Sequence, residues 1–153
     1  MVKDILLEDI IKHAHQICSE NSVKLTTKRE HVLSALIQAS EAMSAYELAE
    51  QYRDIFKQSI PAMSVYRILD FLAEHSLVHK LTSANKYIAC SHITCSHSHD
   101  VPQFLICEIC NSVSEISVKK SVMSELTASV EKTGFKLSTS QLELKGICQS
   151  CQQ

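Results

Sequence analysis

The segment Pro61-Ala-Met-Ser-Val-Tyr-Arg-Ile-Leu-Asp-Phe-Leu72, followed by Leu77-Val-His-Lys-Leu81, Thr82-Ser-Ala-Asn85 and Lys86-Tyr-Ile-Ala-Cys90, decides the fold. In the first stretch Val65, Ile68, Leu69 and Leu72 recur at helical spacing, while Tyr66, Arg67 and Asp70 point the other way. Pro61 can open this helix because its fixed φ suits a helix start. The two short runs that follow, separated by a polar four-residue turn, read as a β-hairpin.

Working towards the N-terminus, three more helices are expected. Asp4 to Ser19 places Ile5, Leu6, Ile10, Ile11, Ile17 and Cys18 near helical spacing. Thr26 or Thr27 caps a second helix with the stripe Val32, Leu33, Leu36 and Ile37. Ser44-Ala-Tyr-Glu47 has the form of a capping box, in which Ser44 and Glu47 satisfy each other's free amides. Leu48, Tyr52, Ile55 and Phe56 supply the buried side of that third helix. Compact helices ending in a hairpin suggest a winged helix-turn-helix over residues 1–90, with the late helix entering the major groove and the hairpin as wing.

Towards the C-terminus, residues 91–102 are polar, rich in His and Ser, and read as a linker. Phe104 to Cys107 and Val113 to Val118 read as strands, Lys119 to Thr133 as a helix ended by Gly134, and Phe135 to Ile147 as one or two further strands. Residues 103–153 are therefore expected to form a small α/β domain. The fold class is α+β.

The chain has 153 residues, enough for one ordinary domain or two small ones, and 45% of them are hydrophobic, so a packed core is affordable. No apolar run approaches the ~18 residues of a membrane span, and no secretory signal is visible, so no membrane partner and a cytoplasmic location are expected. In a reducing compartment seven cysteines point to metal or redox chemistry rather than disulfides. A net charge of −2 supplies no general attraction for nucleic acid, so any DNA contact has to come from a local patch.

Cys107-Glu-Ile-Cys110 and Cys148-Gln-Ser-Cys151 are the strongest chemical signal. Two Cys-x-x-Cys turns complete a tetrahedron of thiolates around Zn²⁺, a closed site with a structural role. A redox pair is the competing reading, but two pairs, neither opening a helix in a βαβ unit, favour zinc. A second constellation, His79, Cys90, His97, His99 and Glu115, with His92 and Cys95 nearby, offers a mixed nitrogen, sulfur and oxygen set. Residue types alone favour a solvated linker and a small core cysteine there. Likewise Lys24, Lys28, Arg29, Arg67, Lys80 and Lys86 can contact phosphates, but on counts alone they read as ordinary surface charge.

Taken together, Leu25-Thr-Thr-Lys-Arg29, Ser44-Ala-Tyr-Glu-Leu48, Ser64-Val-Tyr-Arg-Ile-Leu-Asp-Phe-Leu72, Leu77-Val-His-Lys80, Tyr87-Ile-Ala-Cys90, Ile106-Cys-Glu-Ile-Cys110 and Gly146-Ile-Cys-Gln-Ser-Cys151 resemble the ferric uptake regulator superfamily, in particular its zinc uptake branch. The resemblance covers nearly the whole chain in order. It departs at Ser64, where threonine is common, and at Thr27, where proline is common. It implies a winged helix followed by a C-terminal dimerisation domain, and two zinc ions per chain. The structural zinc falls on Cys107, Cys110, Cys148 and Cys151. The sensory zinc falls on His79, Cys90, a linker histidine (His99, with His97 as alternative) and Glu115. DNA contacts fall on Tyr46, Tyr66 and Arg67, with Arg29 on the backbone.

The expected function is therefore that of a homodimeric, zinc-responsive repressor that binds double-stranded operator DNA, controls zinc homeostasis genes, and acts on no small-molecule substrate. Within the superfamily the alternative is an iron, manganese or peroxide sensor. Outside it, a metal-dependent enzyme lacks a paired general base and leaves the DNA-helix motif unexplained. A zinc-buffering protein would bind zinc without sequence-specific DNA affinity.

Overall fold

The computed structural model describes residues 2–39, 41–94 and 101–153, with side-chain surroundings from Leu6 onward. It divides into two compact units, Met1–Cys95 and Ser96–Gln153.

The first unit is built from α1 (Val2–Glu20), α2 (Thr27–Ala39), α3 (Ala45–Phe56), α4 (Ala62–Glu74), β1 (Val78–Leu81) and β2 (Lys86–Ala89). The helices pack around one core in which Val32, Leu33, Leu36, Leu48, Tyr52, Val65, Leu69, Leu72 and Leu77 are buried, together with Cys18 of α1 and Tyr87 of β2. Burying each such aliphatic side chain contributes roughly 1.5–3 kcal/mol. Ile93 also belongs to this core, so the turn after β2 packs on the first unit. His15, on the exposed side of α1, bonds Glu30 of α2 at 2.7 Å.

Local chemistry sets the boundaries. Ser44 caps α3 in a closed capping box: its Oγ accepts from the Glu47 amide at 3.2 Å, and the Glu47 carboxylate accepts from the Ser44 amide at 2.7 Å. Pro61 stands one residue before the first turn of α4. The hairpin is antiparallel with His79 opposite Ile88 and Lys80 opposite Tyr87, and Asn85 closes its turn at φ 47°. Met43 adds a short third edge: it exchanges two backbone hydrogen bonds with Tyr87, at 2.8 and 2.9 Å.

The second unit holds β3 (Pro102–Cys107), β4 (Val113–Ser117), α5 (Lys120–Glu131) and β5 (Glu143–Gly146) in a sheet of order β4-β3-β5. Strand β4 runs antiparallel to β3, and β5 parallel to it, with Cys107 beside Gly146. The stretch from Phe135 to Ile147 contributes only this one strand, and Phe135 is 73% exposed. Inside, Phe104 is fully buried and Gln103 is buried as a polar brace: its Nε2 donates to the Ser140 carbonyl at 2.9 Å and its Oε1 accepts from the Leu142 amide. These bonds fix the segment entering β5, since an unmade hydrogen bond at a buried amide is costly.

Candidate metal centre and nucleic-acid interface

The parallel pairing of β3 with β5 puts both Cys-x-x-Cys turns at one end of the sheet. The first turn hangs from β3. Cys107 donates its amide to Ser112, its carbonyl accepts from Asn111, and Asn111 makes the reversal at φ 59°. The second follows β5 as a short 3-10 turn, Gln149–Cys151. All four sulfurs lie within 4.8 Å of one another, and Cys110 Sγ is 3.7 Å from Cys148 Sγ. A tetrahedron with Zn–S bonds of ~2.3 Å has sulfurs about 3.8 Å apart, so the set fits that ion.

The electrostatics of the cluster point the same way. Backbone amides at Cys110, Cys148 and Ile109 pull the Cys107 thiol down to about 6, the Cys148 amide reaching its sulfur at 3.4 Å. The Ser112 hydroxyl and amide lower Cys110. Cys151 is pushed up to about 12, because its hydrogen bond to Cys148 and the other sulfurs around it favour the protonated form. Thiolates this crowded repel one another, and a divalent cation is what neutralises such a set. The donors are all sulfur, with no position reserved for a reacting molecule.

A second group of donors is expected from the wing, the His/Ser stretch and the next unit. In the first unit, the His79 ring and the Cys90 thiol bring their donor atoms within 4.8 Å of each other. His79 sits on β1, and Cys90 follows β2, its amide bonded to the Leu77 carbonyl at 3.0 Å. Cys90 Sγ accepts from the His92 amide at 3.4 Å. In the second unit, Glu115 is half-buried on β4, opposite Phe104 in the ladder. His99, its alternative His97, and Cys95 lie outside the described residues.

The residues expected to meet DNA are carried by α2, α3 and α4. Arg67 is exposed on α4, opposite the buried Val65, Leu69 and Leu72. Tyr46, 67% exposed at the start of α3, meets Tyr66 of α4 edge-to-face with ring centroids 6.3 Å apart. Arg29 is engaged inside its own unit: the guanidinium lies 3.6 Å over the Phe71 ring and Nη1 donates to the Lys24 carbonyl at 2.8 Å. It thereby clamps the start of α2 to α4 by a cation–π contact. Phe71 was not singled out in the sequence, since it stands beside the α4 stripe and not on it. Of the basic residues in the expected patch, Lys86 is held at 3.2 Å by Glu47, and Lys80 lies 5.8 Å from the Tyr87 ring centroid.

A winged helix with an exposed aromatic and basic helix face, joined in one chain to a four-sulfur unit, defines a metal-linked DNA-binding regulator. The chain belongs to the ferric uptake regulator family, whose model matches residues 20–145. A zinc uptake regulation protein of Escherichia coli (strain K12) is 35% identical over 146 residues, spanning 94% of this chain and 82% of that one. Among solved structures, a zinc uptake regulator complexed with zinc and DNA matches with TM-score 0.80 and 31% identity, over 95% of this chain and 94% of the other. The crystal structure of holo XcZur matches with TM-score 0.75 and 36% identity, over 93% and 96%.

Proposed function

We propose that this protein is a zinc-responsive transcriptional repressor that binds operator DNA as a homodimer in the cytoplasm and controls zinc homeostasis genes. It is a regulator, not an enzyme, as its family membership requires. The observation that carries the reading is the likeness, along nearly the whole chain, to a regulator solved with both zinc and DNA, together with the exposed Tyr46 and Arg67 and the half-buried Tyr66 on the matching helices.

In this reading each chain takes two zinc ions. Cys107, Cys110, Cys148 and Cys151 hold one as a staple. His79, Cys90, His99 and Glu115 hold the other as the regulatory signal, with His97 as the alternative linker ligand. The thiolate of Cys90 is the soft donor that favours Zn²⁺ over Fe²⁺ or Mn²⁺. Bound zinc supplies no redox chemistry; it neutralises its ligands and holds them together. Arg67 reads a base edge from α4, Tyr46 and Tyr66 present their rings to the groove, and Arg29 sets the register of α2 against α4 beside the DNA backbone. The apolar residues that the second unit exposes, among them Leu105, Val122, Leu126 and Leu144, supply a face for a second copy.

The test is a gel-shift titration of duplexes selected from a random pool, against free Zn²⁺, Fe²⁺ and Mn²⁺. Zinc should activate binding at the lowest free concentration. Cys90→Ser should lose the zinc response while keeping one tightly held zinc per chain. A Cys90→Ser protein that responds to zinc normally, or activation by Fe²⁺ or Mn²⁺ ahead of zinc, refutes the zinc-sensor reading.

A further inference from the structure

Helix α4 exposes a large apolar side chain where packing has no use for it. Its core side is complete: Val65, Leu69 and Leu72 are fully buried. Met63 lies on the opposite side and is 65% exposed. At 100° per residue Met63, Arg67 and Asp70 fall on one stripe, with Tyr66 beside it. A singly exposed apolar side chain is ordinary on a protein surface, so a role for Met63 has to come from its position.

Position on the helix supplies one. Met63 is in the first turn of α4, which starts at Ala62. In helix-turn-helix proteins the N-terminal residues of the recognition helix contact base edges. The exposed carboxylate of Asp70 occupies the C-terminal half of the same stripe and is repelled by phosphates, which leaves the half from Met63 to Arg67 to enter the groove. An unbranched thioether there cannot donate to a base. It can pack on an apolar group, and the major groove displays one such group, the C5-methyl of thymine.

We propose that Met63 is a specificity-determining residue that packs against a thymine methyl one or two base pairs from the base read by Arg67. This rests on the operator-binding function proposed above. It predicts a sequence preference that hydrogen bonding by Arg67 alone does not supply.

The experiment uses the zinc-loaded full-length protein and duplexes it selects from a random pool. Each thymine is replaced in turn by uracil, symmetrically in both half-sites, which removes only the methyl. At one position the wild-type protein should lose about fourfold in affinity per half-site, the weight of one buried methyl group. Met63→Ala should bind the thymine duplex correspondingly more weakly and be indifferent to uracil at that position, while keeping any sensitivity the wild type shows at other thymines. Met63→Leu should restore the sensitivity. A uracil profile for Met63→Ala identical to wild type overturns the assignment, as does a wild-type profile flat at every thymine. Failure of the wild type to select any sequence in a zinc-dependent way would remove the operator-binding reading itself, an outcome visible before any variant is made.

Discussion

Replacing Cys148 by serine should lower the melting of the second unit while leaving that of the first in place. That unit, Ser96–Gln153, is shorter than the ~70 residues below which a single core seldom suffices. Its described residues include only Phe104 and Cys107 as buried hydrophobic side chains, and α5 buries none. Phe104 contributes on the order of 3 kcal/mol by burial. A structural Zn²⁺ in a cysteine site contributes roughly 10–16 kcal/mol. The metal therefore outweighs the apolar core several-fold, and a serine at 148 removes one of four ligands from it. Losing even a third of the zinc term, about 4 kcal/mol, lowers the melting of a domain this small by more than about 15 °C. The first unit has its own large core and should keep its own transition. The assay combines zinc counting after mild chelation, size-exclusion chromatography and a thermal melt followed by circular dichroism. Cys148→Ser should show two separated transitions, loss of the tightly held zinc and loss of the dimer. A single wild-type transition with the dimer intact would refute the argument that the four sulfurs hold the unit together.

Two further outcomes are expected. Arg67→Ala should cost about 1–3 kcal/mol at one recognised base and relax specificity there, whereas Arg29→Ala, which empties the contact on Phe71, should weaken binding to all sequences alike; competition with random duplex separates the two. Glu47 is held below the usual carboxylate range by the Ser44 amide first, and by Lys86 in addition. Because its folded value is the lower one, its contribution is present above its unfolded value near 4.5 and disappears as pH falls through the folded one. The side chain is 47% exposed, so screening limits the ion-pair part to a fraction of 1 kcal/mol. Wild type and Glu47→Gln should therefore keep a constant gap above about pH 5 and converge in stability as pH falls below 4.5, and a gap that widens on acidification would contradict the assigned role of the carboxylate.

Much of this was legible because local chemistry and packing agree. The capping box at Ser44 and Glu47, the proline before α4, and the buried stripe Val65, Leu69 and Leu72 each follow from spacing, and each forms. The two cysteine turns were legible because they carry their own spacing, but their meeting depends on β5 lying parallel to β3, which alternation over Phe135 to Ile147 does not reveal. The brace made by Gln103 was invisible, since a glutamine within an apolar run gives no sign that it will bond to backbone 37 and 39 residues away. The engagement of Arg29 by Phe71 was hidden for a similar reason: a basic residue near a helix start reads as surface charge until the ring that receives it is placed.

The bridge between Met43 and Tyr87 has a mechanical consequence. Met43 is tied to the wing through two backbone hydrogen bonds and is followed directly by Ser44, the cap of α3. Ser44 holds Glu47, Glu47 holds Lys86, and Lys86 is the chain neighbour of Tyr87. The path closes on itself, so the wing and the helix bearing Tyr46 are joined at two places, by the backbone bridge and by a weaker exposed ion pair. A force applied at Cys90, three residues beyond Tyr87, is passed from the wing to the start of α3 through the two Met43–Tyr87 backbone bonds, with the exposed Glu47–Lys86 pair adding little. Under the function proposed above, each copy then carries its half-site grammar ready-made, and zinc is left to choose how two such readers are spaced. Zinc-free protein should keep the same taste in bases on a lone half-site and lose only the advantage of reading two at once.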